Sequence, residues 1–237
     1  MRRGANVFIL CSPDARVGVS TTARLLTDYH LYSGVRVEGF DTDPHEPHYG
    51  DRFSDYVNVV DAAEIKGQIA LFDRLLADDE TPKIVDVWHR VFSRFFSTVQ
   101  EIGFFEEARR RNLAPIILYH AAPTETALAG ARALSASWPE VEMLIVQNEG
   151  AAPLGSHPWD TLRHYPANGK FVIPALEGPV AKILDAPSLS LSGFLRAPPT
   201  DMSIVVRAAL KGWITPIFTQ FNSFEMRQEL RSSLYLS

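Results

Sequence analysis

The stretch from Asn6 to Leu26, NVFILCSPDARVGVSTTARLL, constrains this chain more than any other. Asn6 to Cys11 is an apolar, β-favouring run of the kind that forms a buried strand. Ala23, Leu25 and Leu26 then begin the apolar pattern of a helix that continues to about Gly34. Between them, Val17-Gly18-Val19-Ser20-Thr21-Thr22 sits where a phosphate-binding loop would sit. Such a loop aims consecutive backbone N–H groups at an anion, neutralises charge with a lysine and holds magnesium with a hydroxyl. Gly18 and Ser20 stand at the glycine and hydroxyl positions, but Val19 occupies the lysine position. The same residues also suit an ordinary strand-to-helix turn capped by Ser20 or Thr21.

The next segment, Gly34 to His45, favours the first of these readings. VGVSTTARLL followed by GVRVEGFDTDPHE resembles the deviant-Walker ParA/MinD family, whose pattern is KGGVGKTT, a helix, and then a strand ending in DxDPQ. The resemblance implies an α/β fold, a doubly wound, mostly parallel sheet flanked by helices, binding ATP or ADP with Mg2+ and forming a homodimer. By position it implies that Arg16, Gly18, Ser20, Thr21 and Thr22 meet the nucleotide, and that Asp41 and Asp43 are the acidic pair serving magnesium and the attacking water. It places the Walker B residue on Asp86, which would share the magnesium with Ser20. It also implies that Asn148 reads the adenine and that the neighbourhood of Pro174 packs on it.

Residue-by-residue alignment exposes the departures. The signature lysine falls on Asp14, the two following glycines on Ala15 and Arg16, and the Walker lysine on Val19. A carboxylate about 4 Å from a like charge is repelled by roughly 4 kcal/mol at a near-surface effective dielectric, so Asp14 is a poor neighbour for a γ-phosphate. Each lost donor to transition-state charge typically lowers a rate by a factor on the order of 10²–10³. An ATPase on this scaffold is therefore expected to be slow or absent. Arg16 is the one basic residue inside the loop and either reaches phosphate or lies in solvent.

Length and composition bound the rest. With 237 residues, 46% of them hydrophobic, the chain is expected to bury a full core as one α/β domain, residues 200–237 adding a helical extension. Cys11 is the single cysteine, which excludes a disulfide or cysteine metal site within one chain and makes a reducing cytoplasm the default. A net charge of −5 speaks against a generally basic nucleic-acid binder. The two arginines before VFIL do not make an export signal, and no transmembrane segment follows.

In order, the chain alternates strands and helices. A helix at about 18–33 is followed by a strand at 35–41, a polar loop at 44–55 and a short edge strand at 56–60. His45 and His48 read as solvated loop residues rather than metal ligands. A helix at 62–76 carries Ile65, Ile69, Phe72 and Leu75 on one side, and 82–88 is a strand containing Asp86. Phe92, Phe95, Phe96, Val99, Ile102 and Phe105 read as core or dimer interface, and Arg109 to Arg111 favour a helix C-terminus. Strands are expected at 114–120, 142–148 and 171–173, a helix to about Trp138, and variable connections at 151–169 and 187–199. The last helical region, from about Asp201, is expected to break at Pro216. Its Arg207, Lys211, Arg227 and Arg231 read as a solvated face more than a DNA surface. Met226, Leu230 and Leu234, with Phe224 and Tyr235, read as a stripe packed on the body or on a protein partner, since Glu225 and Glu229 dilute any membrane-seeking charge.

Overall fold

Strand β1 (Asn6–Cys11) alternates between two apolar layers, and that alternation organises the molecule. Val7, Ile9 and Cys11 enter one layer, Phe8 and Leu10 the other, and all five are inaccessible or nearly so. A strand buried on both faces belongs at the centre of a parallel sheet with helices on either side. The computed structural model describes residues 5–77, 79–151, 164–176, 178–184 and 189–234. Its remaining strands are β2 (Glu38–Asp41), β3 (Val57–Val59), β4 (Lys83–Asp86), β5 (Ala114–His120), β6 (Glu142–Asn148) and β7 (Gly169–Ile173). They form one sheet in the order β3-β2-β4-β1-β5-β6-β7, with every pairing parallel.

The first layer lies under α3 (Ile65–Leu75), α4 (Phe92–Glu101), α5 (Phe104–Arg110) and α6 (Glu125–Ser137). The second lies under α1 (Val19–Tyr32), α2 (His48–Arg52), α8 (Leu191–Arg196) and α9 (Ile204–Leu234), with α7 (Pro179–Leu184) at its margin. The doubly wound α/β arrangement expected from the resemblance is therefore the observed fold, and the sheet is parallel throughout the described residues.

Several local expectations are corrected. The 44–55 segment is not all loop, because α2 forms inside it. Residues 187–199 are not only a connection, because the described part contains α8, whose Ser192 N–H donates to the buried Asp28 carboxylate at 2.9 Å. Ile65 and Ile69 are exposed, at 67% and 58%, because α3 meets the sheet through Leu71, Phe72 and Leu75 in its C-terminal half. The aromatic helix is interrupted at Gly103, which adopts a left-handed conformation (φ 60°) and separates α4 from α5. That turn leaves Ile102 exposed while Phe92, Phe95, Phe96, Val99 and Phe105 enter the core. Arg109 pairs with Glu140, and Arg110 and Arg111 pair with Glu107.

The break expected at Pro216 does not occur, since α9 runs through it. Proline costs a helix one N–H bond, and here Ile214 and Ile217, both fully buried beside it, hold the helix on the sheet. The packed stripe of α9 is Leu210, Trp213, Ile214, Ile217, Phe218, Phe221 and Phe224, not the Met226–Leu230 line, whose side chains are exposed. The Leu234 side chain, Tyr235 and most of the 151–169 connection lie outside the described residues. Arg231 is 3.3 Å from Glu142 at the start of β6.

Candidate functional site

The C-terminal ends of β1, β2 and β4 open into a cleft of about 1120 Å³. Open parallel sheets bind ligands at this edge. Its wall is the turn from β1 into α1. Gly18 is the N-cap of α1 with φ 91°, and Thr22 is anchored behind it, both its N–H and its hydroxyl bonding to the Gly18 carbonyl at 3.0 and 3.1 Å. The helix geometry leaves the amides of Val19, Ser20 and Thr21 without intrahelical acceptors at the cleft edge. Ser20 and Thr21 line the cleft, whereas Thr22 is buried.

The floor is Asp86, the last residue of β4. It is 4% exposed, and its Oδ2 has no partner. Burial, reinforced by the nearby Asp41 charge, pushes its carboxyl up to about 8, against a hydrogen bond from Ser20 that favours the charged form. The ends of β2 and β4 are tied by Thr42, whose hydroxyl donates to the Asp86 carbonyl at 3.0 Å and accepts from Trp88 N at 2.8 Å.

The acidic pair of the DTDP segment is engaged in local structure. Asp41 accepts from Asp43 N through Oδ1, and from Tyr49 N and Gly50 N through Oδ2, all at 3.0 Å. Its carboxylate thereby holds the first turn of α2. Burial raises its carboxyl from the usual range, opposed by those three amides. Asp43 accepts from His45 N and Glu46 N, as a turn-forming aspartate does. Both line the cleft.

Asp14 bonds to the hydroxyl of Thr124, which is also the N-cap of α6 and accepts from Ala127 N at 3.1 Å. The carboxylate at the lysine position is thus drawn toward the positive end of a neighbouring helix. Arg16 is exposed with φ 60° and lines the cleft. Arg90 was not marked by the sequence; it reaches the rim with its guanidinium 5.2 Å from the centre of the Trp88 ring. The only sequence signal for it was a basic residue just past β4. Arg24 also lines the cleft and donates to the Leu184 carbonyl at 2.9 Å. Among the described residues no lysine lines it.

Asn148 and Pro174 are outside the cleft lining, Asn148 standing behind the loop. Asn148 Nδ2 donates to the Val17 carbonyl at 3.4 Å, and its Oδ1 accepts from Gly150 N at 3.1 Å. The Pro174 carbonyl accepts from Trp213 Nε1 at 2.7 Å. His120, the last residue of β5, also reaches the Val17 carbonyl from full burial, and in the sequence nothing sets it apart from the apolar strand it ends.

Ser20 and the orphaned Asp86 oxygen fit a magnesium ion. Mg2+ commonly takes one or two protein oxygens and completes its shell with phosphate and water. No group of three or more His, Cys, Asp and Glu side chains suited to hold an ion occurs among the described residues; His48 is exposed beside Glu46.

No protein-family model and no curated protein matches the chain. Among solved structures, a nucleotide-binding protein from Archaeoglobus fulgidus, in complex with ADP and with cobalt, superposes with a TM-score of 0.45 at 13% identity. The match covers 76% of this chain and 86% of that one. At that similarity it assigns no role to any residue here, and the fold stands on the strand order itself.

Proposed function

We propose that the cleft binds a phosphate-bearing nucleotide, ATP or ADP, with a magnesium ion, and turns it over slowly or not at all. The observation that carries this reading is the buried, unpartnered Asp86 oxygen beside Ser20, beneath the N-terminus of α1. An N-terminus that presents free amides attracts anions, and an adjacent buried carboxyl with one oxygen left unpartnered attracts a cation. Magnesium, when bound, would neutralise phosphate charge and give the Asp86 oxygen its missing partner.

The residues present serve binding better than hydrolysis. The α1 amides and Ser20 face the anion, Arg16 and Arg90 supply positive charge at the edge, and Thr22 fixes the turn. Among the described residues no lysine lines the cleft to stabilise a departing phosphate, and Asp41 and Asp43 accept from backbone amides. A nucleotide-dependent homodimer and a protein partner in the cytoplasm, with a role in partitioning, positioning or partner regulation, follow from the ParA/MinD resemblance and belong to this proposal. DNA is a less favoured partner, given the net charge of −5. No helix among the described residues is long and apolar enough to cross a membrane.

A second reading, a scaffold that has lost its ligand, draws on Asp14. Its tether to Thr124 and the raised Asp86 carboxyl are features of a site that is stable without nucleotide. Thermal denaturation with ATP and ADP, each with and without magnesium, separates the two. A nucleotide at about 100 times its dissociation constant stabilises a fold by roughly 2.7 kcal/mol, several degrees for a chain of this size. The expected result is a magnesium-dependent shift; no shift with either nucleotide at millimolar concentration would leave the scaffold reading.

A further inference from the structure

The loop between β1 and α1 lacks both lysines, yet its backbone is held from behind by two side chains of neighbouring strands. His120 Nδ1 and Asn148 Nδ2 each lie 3.4 Å from the same Val17 carbonyl oxygen. Each contact alone is long, but they converge on one acceptor from the ends of β5 and β6. The C=O and N–H of a trans peptide point in opposite directions. Drawing the Val17 carbonyl toward β5 and β6 therefore turns the Gly18 N–H toward the cleft that both residues line.

We propose that His120 and Asn148 are positioning residues that clamp the Val17–Gly18 peptide, so that the loop presents a fixed amide to the ligand in place of the absent lysine charge. The proposal deepens the reading of the cleft as a phosphate site and rests on it for its functional consequence. Successive amides fixed in this way form an anion-binding concavity. Gly18 matches the device: its φ of 91° suits glycine, and the Asn148 amide lies so close that a Cβ there would meet Nδ2 at 1.9 Å.

The chemistry of His120 sharpens the inference. A carbonyl only accepts, so the ring nitrogen facing it must carry the proton. That requires the Nδ1–H tautomer and leaves Nε2 as a buried lone pair, in agreement with its lack of any partner. The opposite tautomer would bury an N–H without an acceptor and set two lone pairs against each other at Val17, which is the costlier arrangement. Burial pushes the imidazole down to about 3, so near neutral pH the ring holds a single proton.

The test has two arms. In the ligand-free protein, long-range ¹H–¹⁵N correlation spectra of the His120 ring are expected to show the proton on Nδ1; a proton on Nε2 overturns the clamp. In the second arm, Mg-ADP is titrated into the wild type, His120→Leu and His120→Asn. Leucine fills the site without a donor, while asparagine restores an N–H where Nδ1 stood. Affinity is expected to fall about tenfold or somewhat less in His120→Leu, the scale of one net hydrogen bond. It should return to within about threefold of wild type in His120→Asn, a rescue that a merely space-filling histidine would not give. Wild-type affinity in a folded His120→Leu overturns the proposal. A wild type that ignores Mg-ADP overturns the nucleotide reading instead, and the ring proton then decides the clamp by itself.

Discussion

Replacing Asp86 by asparagine is expected to raise the melting temperature of the metal-free protein by roughly ten degrees or more at pH 8 and to change it little near pH 4. Burial, and secondarily the nearby Asp41, pushes the folded carboxyl up to about 8 from its ordinary value of 3.8. Between those pH values the unfolded chain releases a proton that the folded chain keeps. The group's stabilising contribution is therefore fully present below about 4 and is lost as pH rises toward 8, by about 1.4 kcal/mol per pH unit. Asparagine cannot ionise, so the variant escapes that loss, and the two stability–pH curves should diverge steadily over this window. Part of the slope survives, because the raised Asp41 carboxyl contributes in the same direction. Thermal denaturation in EDTA from pH 4 to 8 checks this, and parallel curves would refute it. The same variant should lose the magnesium-dependent part of any nucleotide shift. A substitution that stabilises the empty protein while removing its ligand response marks a functional site rather than a packing position.

Gly18→Ala is expected to cost about 2–4 kcal/mol of stability and to abolish nucleotide binding. Part of the cost is backbone strain, because a left-handed conformation costs a residue with a Cβ about 1–2 kcal/mol. The rest comes from the clash with Asn148 Nδ2, which must leave the Val17 carbonyl to make room. Removing the Asn148 side chain as well opens that space but does nothing for φ. The double variant Gly18→Ala/Asn148→Ala should therefore be less destabilised than the sum of its parts, by 1 kcal/mol or more on the usual scale of contacting pairs. A thermodynamic cycle over the four proteins measures this coupling. Additive costs would mean that Asn148 does not press on the loop.

The strands at the centre of the sheet were legible because burial on both faces writes itself as an unbroken apolar run. The expected bounds of β1, β5 and β6 coincide with the observed ones. Elements that depend on a distant group were not legible. HYGDR has no helical periodicity and folds as α2 because the Asp41 carboxylate, seven residues upstream of His48, holds its amides. LSGFLR forms α8 against Asp28, more than 160 residues away in sequence. The candidate site divides in the same way. Gly18, Ser20, Asp41, Asp43 and Asp86 could be placed because each ends or follows a strand within a recognisable pattern. That Asp41 holds a helix, that Asp14 is drawn to Thr124, and that His120 stands behind the loop follow from the sheet order, which sets β4 and β5 on either side of β1.

The long helix α9 has a consequence for how the chain is made. Its stripe from Leu210 to Phe224 closes the second layer, and Phe221 and Phe224 pack edge-on against Phe171 of β7. Gln220 bonds to both the N–H and the carbonyl of Val172, and Tyr29 of α1 donates to Glu225 at 2.9 Å. A ribosome delivers this helix only after every strand it covers has emerged. During synthesis the outer half of the sheet therefore waits with Phe171 uncovered until some fifty further residues have been added, whereas α1 can settle beside β1 almost at once. The part of the sheet that carries the loop is thus assembled before its opposite flank.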